Sequence, residues 1–272
     1  MSATTRPAPA AQGAHPPAAR PGRRRGGSWA LGAVVPLLLL AAWQLSSTLG
    51  VFTAYQLPPP LAVLDAARRL WLNGTLQLNV AISVQRVLIG FAIGATLGVL
   101  LGGLTGLSRT LDRMLSPTLG AVRAVPSLAW VPLLGLWIGL GEPPKIILIA
   151  IGAFFPVYTT VFSALQHLDP ALVEVGRAYG RRGWRLFSEI LLPATAPSLL
   201  SGLRLGLAQS WLFLVAAEII AASIGLGFQM TNGQNQGLTD QLILAILLLA
   251  VLGKLSDVVL AVVEAKVKRD RN

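Results

Sequence analysis

Four arginines, Arg177, Arg181, Arg182 and Arg185, crowd the segment EVGRAYGRRGWRLFSEILLPATAP, residues 174–197, between two long apolar stretches. Guanidinium groups at that density do not rest in hydrocarbon, so the segment belongs at a membrane surface. Its apolar residues still recur at helical spacing, so it also presents a face to something. The chemistry open to such a piece is docking. A structured elbow held out of a bilayer couples the membrane part to a soluble partner.

Residues for covalent or hydrolytic chemistry are scarce. The chain has no cysteine, which removes disulfides and thiolate metal sites, and its two histidines, His15 and His167, are too few for a histidine-built one. Glu142, Glu174, Glu189 and Glu218 show no pairing at catalytic spacing, and no nucleophile has a histidine base. No phosphate-binding G-x-x-x-x-G-K-[ST] loop occurs. The nearest text, Gly253-Lys254-Leu255-Ser256, has the wrong residue after Lys254 and lacks the upstream glycine. The sequence therefore predicts no catalytic residue, no cofactor, no metal site and no enzyme activity in this chain.

The elements that must carry the elbow follow from composition. Of 272 residues, 54% are hydrophobic and 12% charged; a soluble domain carries about 25% charge. The class is an all-α integral membrane protein. The net charge of +11 would suggest nucleic acid in a soluble protein, but here it orients the chain in the bilayer, and no nucleic-acid partner is expected.

Six stretches are long enough to cross hydrocarbon about 30 Å thick: residues 29–49, 82–107, 117–140, 145–166, 197–219 and 240–262. Residues 1–28, rich in Ala, Pro, Gly and Arg, read as a disordered cytoplasmic tail ahead of a transmembrane domain, 29–272. A signal peptide is the competing reading, but the apolar run is long and no clear cleavage site follows Leu49. With the N-terminus inside, fifteen Lys and Arg fall in cytoplasmic segments against three outside, so the chain is N-in and C-in. The elbow, within a loop at 167–196, is then cytoplasmic. Between the first two spans, LAVLDAARRLWLNG reads as a surface helix with Leu61, Leu64, Ala67, Leu70 and Trp71 on one side.

Within the spans, Gly90, Gly94, Gly98, Gly102 and Gly106 recur every fourth residue and form a flat ridge for close helix packing. Static packing explains it; a sliding surface is the functional alternative. Pro126 and Pro132 should interrupt the third span, and a broken helix is tolerated only against protein or a water-filled path. Arg123, Pro126, Trp130, Gln209 and Trp211 are therefore candidates for a solute path, with ordinary packing as the rival. Arg86, Arg123 and Arg204 read as snorkelling cations near span ends, Glu218 and Asp240 as interfacial charges.

Within the elbow, Asp169-Pro170 starts one helix, whose apolar stripe is Ala171, Leu172, Val175, Ala178 and Tyr179. Gly180 ends it, a second helix begins near Gly183, and Pro193 stops or bends that one. Glu174-Val175-Gly176, then Gly180, then Ile190-Leu191-Leu192-Pro193 resembles the EAA loop of binding-protein-dependent ABC importer permeases, with matching spacing. The departure is EVG for EAA. A helical Gly176 costs about 1 kcal/mol against alanine, so a looser turn is expected. QLPPP, VQRVLIGFAIG, RAVPSLAWVPLLGLWIGLGEPPK, IGAFFPV and GLRLGLAQSWLFLVAAEII extend the resemblance to the nitrate, sulfonate, taurine and bicarbonate group over residues 55–265.

The resemblance implies a type I ABC importer permease fold in the bacterial plasma membrane. Its partners would be cytoplasmic ABC ATPase subunits, an external solute-binding protein and a second copy of the chain. It implies coupling to the ATPase through Glu174, Ala178, Gly180, Arg181, Arg182, Trp184 and Pro193, and a small anionic or zwitterionic solute, an aliphatic sulfonate or taurine first. Nitrate, bicarbonate and vitamin precursors are not separated from these. The rivals are a secondary transporter or channel working without an ATPase, which would need midplane coupling charges and internal repeats, and a membrane-embedded enzyme.

Overall fold

The computed structural model describes residues 28–139 and 141–269. The expected tail at 1–28 thus lies, but for its last residue, outside the described residues. The described chain is helical: α1 (Ser28–Thr48), α2 (Pro60–Leu72), α3 (Thr75–Leu107), α4 (Arg109–Ala124), α5 (Trp130–Ile138), α6 (Glu142–Gln166), α7 (Pro170–Ala178), α8 (Gly183–Leu186), α9 (Leu192–Ala221), α10 (Leu226–Asn235) and α11 (Thr239–Arg269). A 3₁₀ turn, Ser127–Ala129, precedes α5, and a π-helical turn, Phe187–Leu191, joins α8 to α9.

Among the described residues four helical stretches are long and apolar enough to cross a membrane: Thr75–Leu107, Glu142–Gln166, Phe187–Ile220 and Thr239–Val267. The span expected at 117–140 is not one helix. Arg109–Ala124 and Ser127–Ile138 meet at a bend of 79°, because Pro126 lacks the N–H that would continue the first helix. Pro132 causes no further break, since it falls in the first turn of α5.

The centre is a trio in which α6 packs against both α3 and α9. Glycine makes this possible. A Cβ built on Gly90 would lie 2.6 Å from Ile149 Cγ2, on Gly98 2.9 Å from Val157 Cβ, and on Gly106 2.9 Å from Leu165 Cβ. A Cβ on Gly94 would strike the Ala150 carbonyl, and one on Gly102 would lie 2.9 Å from the Tyr158 carbonyl. All five ridge glycines thus face α6, whose backbone comes closer than a methyl allows. On the other side, Gly202 and Gly206 of α9 meet Thr160 and Val157. Gly98→Ala is expected to destabilise the detergent-purified protein by about 1–3 kcal/mol through overpacking. Gly120→Ala, where a Cβ meets nothing within 4 Å, should leave it level or stabilise it by up to about 1 kcal/mol. Paired thermal-unfolding curves test both.

The surface helix packs on the bundle through a stripe that shares Ala67 and Leu70 with the expected one. Val63, Ala66 and Leu70 of α2 are buried, packed with Leu76 and Leu244, whereas Leu61, Leu64 and Trp71 are exposed. Both stripes have helical spacing, and only the neighbours decide between them. Trp43 Nε1 donates to the Pro58 carbonyl at 2.9 Å, and Arg69 pairs with Asp240 at 2.8 Å, fixing the helix to α1 and α11.

Candidate functional site

The elbow begins as its capping residues dictate. Asp169 Oδ1 accepts the Ala171 N–H at 2.9 Å, and Pro170 occupies the first turn of α7, where its missing N–H costs nothing. The helix ends in a Schellman motif. Gly180 takes φ +74°, its N–H reaches the Arg177 carbonyl at 2.9 Å, and the Arg181 N–H reaches the Gly176 carbonyl at 3.0 Å. Gly183 (φ +55°) then starts α8. Arg181 pairs with Glu189 at 3.0 Å, tying the turn to the second arm.

Pro193 does not stop the second arm. The π turn Phe187–Leu191 carries the helix into α9, and Pro193 sits in the first turn of that helix, where a proline is tolerated. The stretch expected as a detached loop up to 196 is therefore, in its second half, the root of a spanning helix. That root is buried. Phe187 and Leu191 are 3% and 0% exposed and pack with Ala95, Val157, Val161 and Leu165. The Phe187 ring lies against Gly103 of α3.

Gly176 corrects the expectation of a looser turn. It is buried, and a Cβ there would strike Leu186 Cδ1 and lie 2.8 Å from Ile190 Cδ1. The missing methyl lets the two arms close on each other. With Gly176 and Val173 turned inward, the expected stripe faces out: Leu172 is 40%, Val175 54% and Tyr179 81% exposed, with Ala171 and Ala178 exposed beside them. Glu174, Arg177, Arg182 and Arg185 are exposed elsewhere on the elbow. The Trp184 side chain lies outside the described residues. Behind the stripe, a cleft of ≈ 620 Å³ separates the elbow from the ends of α3 and α6, with Arg109, Glu174, Arg177 and Arg182 on its walls. An exposed apolar stripe on a helix packed through Val173 onto the bundle core is an arrangement for docking a partner.

The other end of the bundle holds a centre that sequence reasoning missed. Arg86 is 4% and Glu218 0% exposed. Arg86 Nη1 donates to Glu218 Oε1 at 2.7 Å and to the Ile224 carbonyl at 2.7 Å, while Nε and Nη2 grip both Glu142 oxygens at 2.7 and 2.6 Å. Lys145 adds a bond to Glu142 at 3.0 Å. Two cations and two carboxylates therefore neutralise each other. Asn79, Ser83 and Arg86 share one face of α3 and capture the 224–227 backbone. Gly225 N donates to Asn79 Oδ1 (3.0 Å) and Leu226 N to Ser83 Oγ (2.9 Å), while Gly227 N donates to Glu218 Oε2 (2.8 Å). Asn79 and Gln229 extend the bonding to Gln241 of α11. Arg86 is no snorkelling cation and Glu218 no interfacial charge. The available signal was one arginine and one glutamate isolated in two apolar spans, because such charges need each other.

Arg204, also expected to snorkel, bonds Asp257 at 2.9 Å and Glu264 at 3.0 Å of α11, so it holds α9 to α11 near the elbow end. Of the five candidate path residues, Trp130 packs against the core cluster that holds Trp211. Arg123 and Pro126 are exposed on the bent pair, Trp130 is half-buried and Gln209 is exposed on α9. Trp211 is buried in the core with Nε1 donating to Ser256 Oγ at 2.9 Å. Among the described residues no group of three or more His, Cys, Asp or Glu could hold a metal ion.

Comparison with known proteins agrees with this architecture. The family described as binding-protein-dependent transport system inner membrane component matches residues 94–269. The putative aliphatic sulfonates transport permease protein SsuC of Bacillus subtilis (strain 168) is 39% identical over 253 residues, 93% of this chain and 91% of that one. SsuC of Escherichia coli (strain K12) is 43% identical over 224 residues, 82% and 85% of the two chains. The taurine transport system permease protein TauC of the same strain is 31% identical over 225 residues, 81% and 82%. Among solved structures, a chain from inward-facing conformations of the MetNI methionine ABC transporter superposes with a TM-score of 0.61 at 20% identity, over 68% of this chain and 92% of that one. The chain belongs to the binding-protein-dependent transport system inner-membrane component family and is a multi-pass, non-catalytic membrane subunit of a bacterial ABC importer, whose ATPase is a separate subunit.

Proposed function

We propose that this subunit imports aliphatic sulfonates or taurine, as a homodimer of six-span, N-in/C-in chains whose elbow receives the ATPase. The observation that carries the coupling role is the outward stripe of Leu172, Val175 and Tyr179 on a helix clamped through Leu186 and Phe187 to the bundle core. A push on α7 would be passed to α3 and α6 by packed side chains rather than absorbed by a loop. In this reading Glu174, Ala178, Gly180, Arg181, Arg182 and Trp184 form the ATPase contact, and Pro193, in the first turn of α9, lies at its root. The first span of this reading is α1, and the bent pair of α4 and α5 is the third. The distribution of Lys and Arg supports the orientation, with the elbow cytoplasmic. The solute assignment draws on the relatives named for aliphatic sulfonates and taurine. No feature of this chain favours a nucleic-acid partner.

The test is reconstitution of the chain with its ATPase and solute-binding protein in vesicles. Uptake of labelled taurine or an alkanesulfonate should require ATP and exceed uptake of nitrate. Uptake by the chain alone, indifferent to ATP, would establish a secondary transporter or channel instead.

A further inference from the structure

α6 changes character along its length. Residues 146–157, IILIAIGAFFPV, are apolar, but the following turns bring Thr159, Thr160, Ser163 and His167. With Ala164 and with Ser198 of α9, these four line one open groove of ≈ 570 Å³. The groove exists because α9 comes so close here: a Cβ on Gly202 would lie 2.8 Å from Thr160 Cβ. At 1.5 Å per residue, Thr159 is about 10 Å inside the elbow-side end of α6, at hydrocarbon depth for a helix of this length. Polar side chains at that depth face a bundle interior or a water-filled cavity, not lipid.

The donors divide in an informative way. Thr159 and Thr160 bond back to the carbonyls of Phe155 and Pro156 at 2.8–3.2 Å. His167 Nδ1 lies 2.8 Å from the Ser163 carbonyl. Among the described residues, the Ser163 and Ser198 hydroxyls have no partner, and both border the groove. They are neutral donors without a nearby fixed charge in the groove wall. A carrier must release what it binds, so weak donors suit an anion in transit better than a guanidinium, which would hold it.

We infer that this groove is the elbow-side half of the solute path, and that Ser163 and Ser198 donate hydrogen bonds to the sulfonate of the passing solute. The inference rests on the proposed import of sulfonates. Its residues share one surface, and it adds to the earlier candidates Arg123, Pro126, Trp130, Gln209 and Trp211.

The chain has no cysteine of its own, so a single introduced cysteine is the one thiol in this subunit, and labelling is read on its separated band. In vesicles holding permease, ATPase and binding protein, Ser163→Cys and Ser198→Cys should react with the charged reagent 2-sulfonatoethyl methanethiosulfonate. Excess taurine or alkanesulfonate should slow that reaction. Leu100→Cys, exposed on α3 outside the groove, should not react. Ser163→Ala and Ser198→Ala should each raise the KM for taurine about fivefold, the effect of one lost hydrogen bond, with ATP-dependent uptake retained. Labelling no faster than at Leu100→Cys, or labelling that solute never slows, overturns the path. So does oxidative cross-linking of Ser163→Cys between two copies in every state, which would make the groove a packed contact. Loss of ATP dependence in the unsubstituted transporter is a separate result and overturns the importer reading instead.

Discussion

Arg86→Met will destabilise the purified protein by about 3–5 kcal/mol, the cost of leaving a buried charge without its partner. The side chain that suffers is Glu218, fully buried and held by Arg86, Ser83 and Gly227 N. Methionine has similar length but no donor, so the carboxylate keeps only neutral partners. Glu142 is less affected, because it is 55% exposed and keeps Lys145. Glu218→Gln should cost less than Arg86→Met, since Arg86 retains its two bonds to Glu142 and the amide can still accept from Gly227 N. Thermal unfolding in detergent gives the ranking. Equal melting temperatures for Arg86→Met and the unsubstituted chain would mean that the carboxylate is neutralised some other way.

Val175→Arg will separate the ATPase from the membrane subunit. Val175 lies at the middle of the exposed stripe, between Leu172 and Tyr179, and is 54% exposed. A buried interface centre contributes 2 kcal/mol or more on truncation, so a charge there should weaken ATPase association by roughly 30-fold or more. Folding should not change, because the inward face of α7 is Val173 and Gly176. Co-purification of the ATPase and ATP-driven uptake report the loss, and melting temperature reports the intact fold. Val175→Arg with full co-purification and uptake would place the ATPase contact elsewhere. Gly180→Val attacks the same face from within, since φ +74° is strained for a β-branched residue.

What the sequence disclosed tracks how local each signal is. Asp169, Pro170, Tyr179 and Gly180 define the start and stop of α7 by capping chemistry that involves only a few consecutive residues, and the helix has those ends. The glycine ridge needed only its period to announce a close helix contact. Pro126 announced a break by removing one N–H. The EAA-like spacing, a local pattern too, led to the family.

Local rules failed where a residue's partner lies far along the chain. Pro193 reads as a stop or a bend, yet a π turn leads the helix into α9 with Pro193 in its first turn. Gly176 reads as a weak point in a helix, yet Leu186 and Ile190 fill the space its side chain would take. On α2 two stripes have equal claim by periodicity, and Leu76 and Leu244 select the second. Arg86 and Glu218 are separated by 132 residues, so each alone looks like a charge seeking water.

By itself the sequence determined the membrane class, the amphipathic elbow with its caps, and the face of α3 that meets another helix, because each depends on composition or on residues within a few turns. Only the tertiary structure decided that the lone arginine and glutamate neutralise each other inside the protein, which stripe of a two-sided helix is buried, and which hydroxyls share a groove. Those outcomes depend on how close α3, α6 and α9 come, a distance set by glycines on one helix and backbone on the next.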